Sequence, residues 1–223
     1  MCFSASASFG VSAILMAGGV ITLKKTYLKS QIPFAAIPII FSIQQFIEGV
    51  LWLSLTTTAY ASWHKPATYI FLTFAQIIWP TLVPFSMLLL EKNSKKRKII
   101  SIILLIGIAI SLYLAYCILF YAVNSSISKY HISYDLDYPH LNSAFNIGGV
   151  FYLIATVAPA FISSVKKMNI IGVTLVISFV ISRVFFFENL VSVWCFFAAT
   201  ISVIVFYIIA AYSIPEKAPN SIY

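Results

Sequence analysis

The sequence predicts an all-α membrane protein: a polytopic bundle of seven transmembrane helices, with the N-terminus outside and the C-terminus inside. Three observations carry this expectation. The chain of 223 residues is 61% hydrophobic and only 9% charged, with a mean hydropathy of +0.97; a soluble domain cannot hide that much apolar surface. The apolar residues gather into seven runs, each long enough for about 30 Å of hydrocarbon at 1.5 Å per residue. The basic residues lie between those runs and favour one side.

The runs cover 5–23, 32–55, 67–90, 99–123, 143–165, 169–187 and 190–213, forming one domain over 1–213 with a short cytoplasmic tail, 214–223. The first lacks the basic leader of a cleavable signal, and its small residues Ser4-Ala5-Ser6-Ala7 precede the apolar stretch. The second carries Gln44, Gln45, Glu48 and Trp52. Spaced i, i+4, i+8, Gln44, Glu48 and Trp52 share one helical face. The third contains Gln76 and Trp79, then Pro80 and Pro84, each lacking a backbone donor, so a kink is expected there. The sixth carries Arg183, and only Glu188-Asn189 separates it from the seventh, with Asn189 placed to cap the last helix.

Lys24, Lys25, Lys29, Lys92, Lys95, Lys96, Arg97, Lys98, Lys166, Lys167 and Lys217 fall on one side of seven crossings; Lys65 and Lys129 alone fall on the other. The positive-inside rule sets the orientation from that bias. The net charge of +8 is therefore a topology signal, and its dispersal between spans excludes a nucleic-acid surface. The lipid bilayer is the expected partner. The loop Glu91–Lys98 reads as a solvated turn near anionic lipid. In the outer loop 124–142, the alternation from Tyr130 to Asp135 permits a short strand or hairpin. Asn124-Ser125-Ser126 matches a glycosylation sequon, relevant only in a eukaryotic secretory pathway. Spans 1–3 and 5–7 run in the same directions, as in a 3+1+3 parallel repeat, without residue-level identity.

With this topology the polar span residues converge in the outer half. Gln44, Gln45, Glu48 and Trp52 come from span 2, Gln76 and Trp79 from span 3, Asn146 (with Asn142 and Ser143) from span 5. Arg183 comes from span 6, Glu188 from the turn and Trp194 from span 7. Charges inside spans are costly and face protein or water, so Glu48 and Arg183 are expected to pair. Trp52, Trp79 and Trp194 accompany the cluster as packing or as an aromatic pocket lining, whereas Tyr27, Tyr60, Trp63 and Phe185-Phe186-Phe187 suit interfacial belts.

Cys2, Cys117 and Cys195 make neither a disulfide framework nor a zinc pairing, and buried apolar thiols are the plain reading. His131, Asp135, Asp137 and His140, with His64 in another outer loop, are the residues able to hold a divalent metal ion. No histidine lies within a span, which disfavours a membrane-embedded haem, and span 7 has no Lys for a retinal Schiff base. Neither a Ser–His–Asp set nor a Gly-rich phosphate loop is present.

Met1-Cys2-Phe3-Ser4-Ala5, Gln45-x-x-Glu48-Gly49, Pro84 with Glu91, and Ser192-Val193-Trp194-Cys195 with Ala198 together resemble a family of bacterial multi-pass membrane proteins of unassigned function, across nearly the whole chain. That family often carries His before the Gln, where this chain has Gln44. The resemblance implies a bacterial cytoplasmic (inner) membrane and points to Cys2, Glu48, Trp194 and Cys195; it supplies no substrate.

Three readings follow. One is an outward-facing polar pocket that binds, senses or transports a small polar ligand. Another is a membrane-embedded enzyme with Cys2 or Cys195 as thiol or metal ligand and Glu48 as base, the N-terminal segment folding over the bundle mouth. The third makes the cluster an interhelical network only.

Overall fold

The computed structural model describes residues 4–128, 130–139, 147–186 and 189–212, without the side chains of 147, 195, 196, 198, 199 and 212. Helical rods occupy each of the seven apolar segments. The first is α1 (Ala5–Lys24). The second enters through a 3₁₀ turn, Lys29–Gln31, and continues as α2 (Ile32–Ala35) and α3 (Ile37–Thr56). The third begins with a 3₁₀ turn, Thr58–Trp63, then α4 (His64–Leu72), a π-helical stretch Thr73–Ile78 and α5 (Trp79–Leu90). The rest are α6 (Ser94–Phe120), α7 (Ile147–Ile162), α8 (Met168–Phe185), α9 (Leu190–Phe196) and α10 (Ala198–Tyr212).

Five rods are long and apolar enough to cross a membrane: Ala5–Lys24, Lys29–Thr56, Thr58–Leu90, Ser94–Phe120 and Met168–Phe185. Gly148–Ile162 and Thr200–Ala211 are shorter apolar helices. Their outer faces are greasy: Leu119 is 74% exposed, Ile14 72% and Leu112 67%. Apolar side chains turned outward along several helices mark a surface made for lipid.

Three local expectations change. The chain is not purely α, because β1 (Val123–Ser128) and β2 (His131–Leu136) pair antiparallel, Val123 opposite Leu136 and Ser128 opposite His131. The fourth rod starts at Ser94, not at 99. Asn93 Oδ1 accepts from the amides of Lys95 (3.0 Å) and Lys96 (3.2 Å), so its cap draws the basic run into the helix. Asn189 does not cap the last helix; its Oδ1 is buried without a hydrogen-bond partner, and its own amide turns back to Phe186 O.

Small residues and hydroxyls join the first two rods, as suits packing in lipid. Ser12 and Ser42 each donate to the other's carbonyl (2.9 and 2.7 Å), and Gly19 and Gly49 sit against Ile39 and Phe9. The hairpin is docked on α4. His64 Nε2 lies 2.9 Å from Ser125 Oγ, Thr68 Oγ1 lies 2.8 Å from the same hydroxyl, and Tyr134 stacks on Phe71. At the opposite end the basic turns gather: Lys25 lies over Phe206, Lys167 donates to and covers Tyr207, and Lys92 and Lys166 border a hollow with Ile208. The main core, from Phe34 through Trp79 and Met87 to Met168 and Ile208, links the two ends.

Candidate functional site

The break in the third rod shapes the interior. Pro80 offers no N–H, so within the widened Thr73–Ile78 turn the Ala75 carbonyl has no donor five residues on. Tyr152 from α7 supplies one, its hydroxyl 2.6 Å from Ala75 O. Ser111 of α6 donates to Ile77 O at 2.8 Å. Pro84 likewise withholds the amide that the Pro80 carbonyl would use. That carbonyl fills the space beside Gly107, where a Cβ would stand 1.9 Å from it. The expected kink is thus a wide turn held by two neighbouring helices, which aims Gln76 and Trp79 inward.

Two groupings emerge from the polar residues picked out by sequence. The first is solid wall. Glu48 is fully buried on α3; Gln45 Nε2 donates to Oε2 at 3.1 Å, and Ser192 Oγ of α9 donates to Oε1 at 2.7 Å. Gln44 Oε1 accepts from Trp79 Nε1 at 2.9 Å, and the Trp79 ring stacks on Phe41 with centroids 3.9 Å apart. Trp52 packs with Leu51, Ala67 and Ile132 of the hairpin.

The second grouping lines a cavity of about 1150 Å³ between the hairpin and rods two to seven. Gln76, Trp79, Arg183 and Trp194 all face it, as does Asn189. Gln76 Oε1 accepts from Tyr138 OH at 3.0 Å. Trp194 Nε1 donates to Ser178 Oγ at 3.1 Å, and its ring leans on Tyr152 and Phe179, centroids 5.9 and 5.5 Å away. Arg183 is exposed while Glu48 is sealed, so the two in-span charges stand in different surroundings. Asn189 is 8% exposed, and its Oδ1 is sealed from solvent without a hydrogen-bond partner.

Asn146, Glu188, Cys2 and His140 lie outside the described residues, as does the Cys195 side chain. The expected approach of Cys2 to Cys195 falls there too. Among the described residues no three of His, Cys, Asp and Glu converge to hold a metal. His64 is engaged with Ser125, and His131 is buried edge-on to Phe186, burial holding its pKa below the ordinary 6.5. Cys117 is a buried free thiol.

The sequence reading missed Ser178, Tyr138 and Tyr152, and had Ser192 only as part of the Ser192–Cys195 motif; these are the hydroxyls that complete the contacts. Hydroxyls inside apolar runs are common, and only three-dimensional neighbours single them out. It also took the 91–98 loop as solvated. Glu91 is 2% exposed, and its carboxylate accepts from the amides of Ser164 (2.6 Å) and Asn93 (2.8 Å). The available signal was a lone acid within a basic loop. A family model, described as a family of unknown function (DUF6629), matches residues 1–220. No curated protein and no solved structure matches the chain.

Proposed function

We propose, for a chain that belongs to the DUF6629 family of unknown function, a binding protein of the bacterial cytoplasmic membrane. Its seven rods all cross the bilayer, the N-terminus and hairpin outside and the basic turns inside. The cavity takes a small ligand from the outer face, for sensing or transport, and holds the ligand's polar group among Gln76, Arg183 and Trp194. The observation that carries this reading is the cavity itself, about 1150 Å³ in volume, onto which Gln76, Trp79, Arg183 and Trp194 converge from three separate rods. The Gln45–Glu48–Ser192 contacts support a structural role for the second rod as the wall behind the site.

Leu153 lines the cavity. In intact cells Leu153→Cys is expected to react with a membrane-impermeant methanethiosulfonate added outside, as Tyr130→Cys on the exposed hairpin turn does. Reaction at Tyr130→Cys with none at Leu153→Cys contradicts an outward-opening cavity.

A further inference from the structure

The end of the molecule opposite the hairpin holds a second hollow of about 390 Å³, which shares no lining residue with the larger cavity. Leu90, Val165 and Ile208 close its floor as buried core residues, so its open part is the rim: Lys92, Ser164, Lys166, Lys167 and Ala211, all exposed. The acid at this hollow is Glu91, 2% exposed, with both carboxylate oxygens accepting from the Asn93 and Ser164 amides. The rim is therefore cationic. Lys167 sits there in left-handed backbone, φ 68°, a region that costs a lysine energy. Its ammonium lies 4.1 Å from the centroid of the Tyr207 ring and donates to the phenol oxygen. An ammonium has three donors, so Lys167 keeps two, and Tyr207 keeps its own hydroxyl hydrogen. An apolar strip starts at the same place. Val203, Tyr207 and Ala211 are spaced i, i+4, i+8 on α10 and are exposed, Val203 by 68% and Tyr207 by 47%. At helical rise the strip runs about 12 Å from the basic end towards the middle of the rod.

We propose that this rim and strip together seat one glycerophospholipid with an anionic head. The phosphate rests between Lys166 and Lys167, with Lys92 across the hollow and the Tyr207 hydroxyl as a neutral donor. An acyl chain lies against Val203, Tyr207 and Ala211. The strip alone suits any lipid; the lysines select the head, because a zwitterionic lipid brings a cation of its own against them. A soluble phosphate satisfies the lysines but gains nothing from the strip.

Native mass spectrometry of the full chain in maltoside micelles tests this with phosphatidylglycerol, phosphatidylcholine of the same chains, and glycerol 3-phosphate. Phosphatidylglycerol is expected to bind at least tenfold tighter than either of the others. Lys166→Gln with Lys167→Gln, or Lys92→Gln with Lys166→Gln if the first pair does not fold, should bring it within twofold of phosphatidylcholine. Lys95→Gln with Lys98→Gln removes the same charge from exposed positions outside the hollow and should leave the affinity within twofold of wild type. Ala211→Trp, which changes no charge, is expected to weaken phosphatidylglycerol at least fivefold. Equal binding of the two phospholipids overturns the anionic head. Equal losses from the two lysine pairs would mean diffuse surface attraction and overturn the hollow as the seat. Glycerol 3-phosphate binding as tightly as phosphatidylglycerol, or Ala211→Trp without effect, overturns the lipid.

Discussion

Glu48 and Glu91 are both buried carboxylates, and neighbours of different kinds stabilise them. Glu48 receives side-chain donors from α3 and α9, which ties the second rod to the seventh. Glu91 receives backbone amides, joining the end of the third rod to the turn after α7. Burial pushes the Glu91 pKa up, but hydrogen bonds from the Ser164 and Asn93 amides outweigh it and hold the pKa below the ordinary 4.5. A lowered folded pKa contributes stability that is fully present above 4.5 and is lost as pH falls through the folded value. Wild type is therefore expected to melt above Glu91→Gln at pH 7, with the gap narrowing below pH 4.5. A gap unchanged down to pH 3 would show that the carboxylate's charge contributes nothing.

At the scale of elements, the third rod depends on the helices beside it. Two prolines four residues apart withhold successive donors, and α6 and α7 answer with Ser111, Gly107 and Tyr152. In lipid no water can stand in for those partners. Gly107→Ala drives a methyl into the Pro80 carbonyl, a clash of a rigidly placed Cβ with backbone that no rotamer change relieves. It is expected to cost about 2–3 kcal/mol in a micellar unfolding assay. Gly18→Ala, with open space around it, is expected to be neutral or to gain up to about 1 kcal/mol in helix propensity. Equal behaviour of the two alanines would contradict this packing.

The whole molecule is polarised along its axis, with basic turns at one end and the hairpin and Arg183 at the other. Hydropathy made the seven segments legible, because run length and composition decide what a helix can span. The prolines announced the break near residue 80. What stayed hidden depends on contacts distant in sequence. Glu48 called for partners, and one of them is a neutral serine 144 residues away, donating at 2.7 Å. Asn189 read as a cap because of its position, yet its amide turns back to Phe186 and its oxygen is buried without a partner. The hairpin was half legible: alternation marked β2, and nothing local required β1 to pair with it.

The central claim is that this axis lies across a membrane with the hairpin outside. Single cysteines at exposed Tyr130 and exposed Lys95, in a chain whose three native cysteines are replaced by serine, test it with an impermeant maleimide on intact cells. Tyr130→Cys is expected to label at once and Lys95→Cys only after permeabilisation. Labelling of both from outside, or of Lys95→Cys alone, would contradict the account.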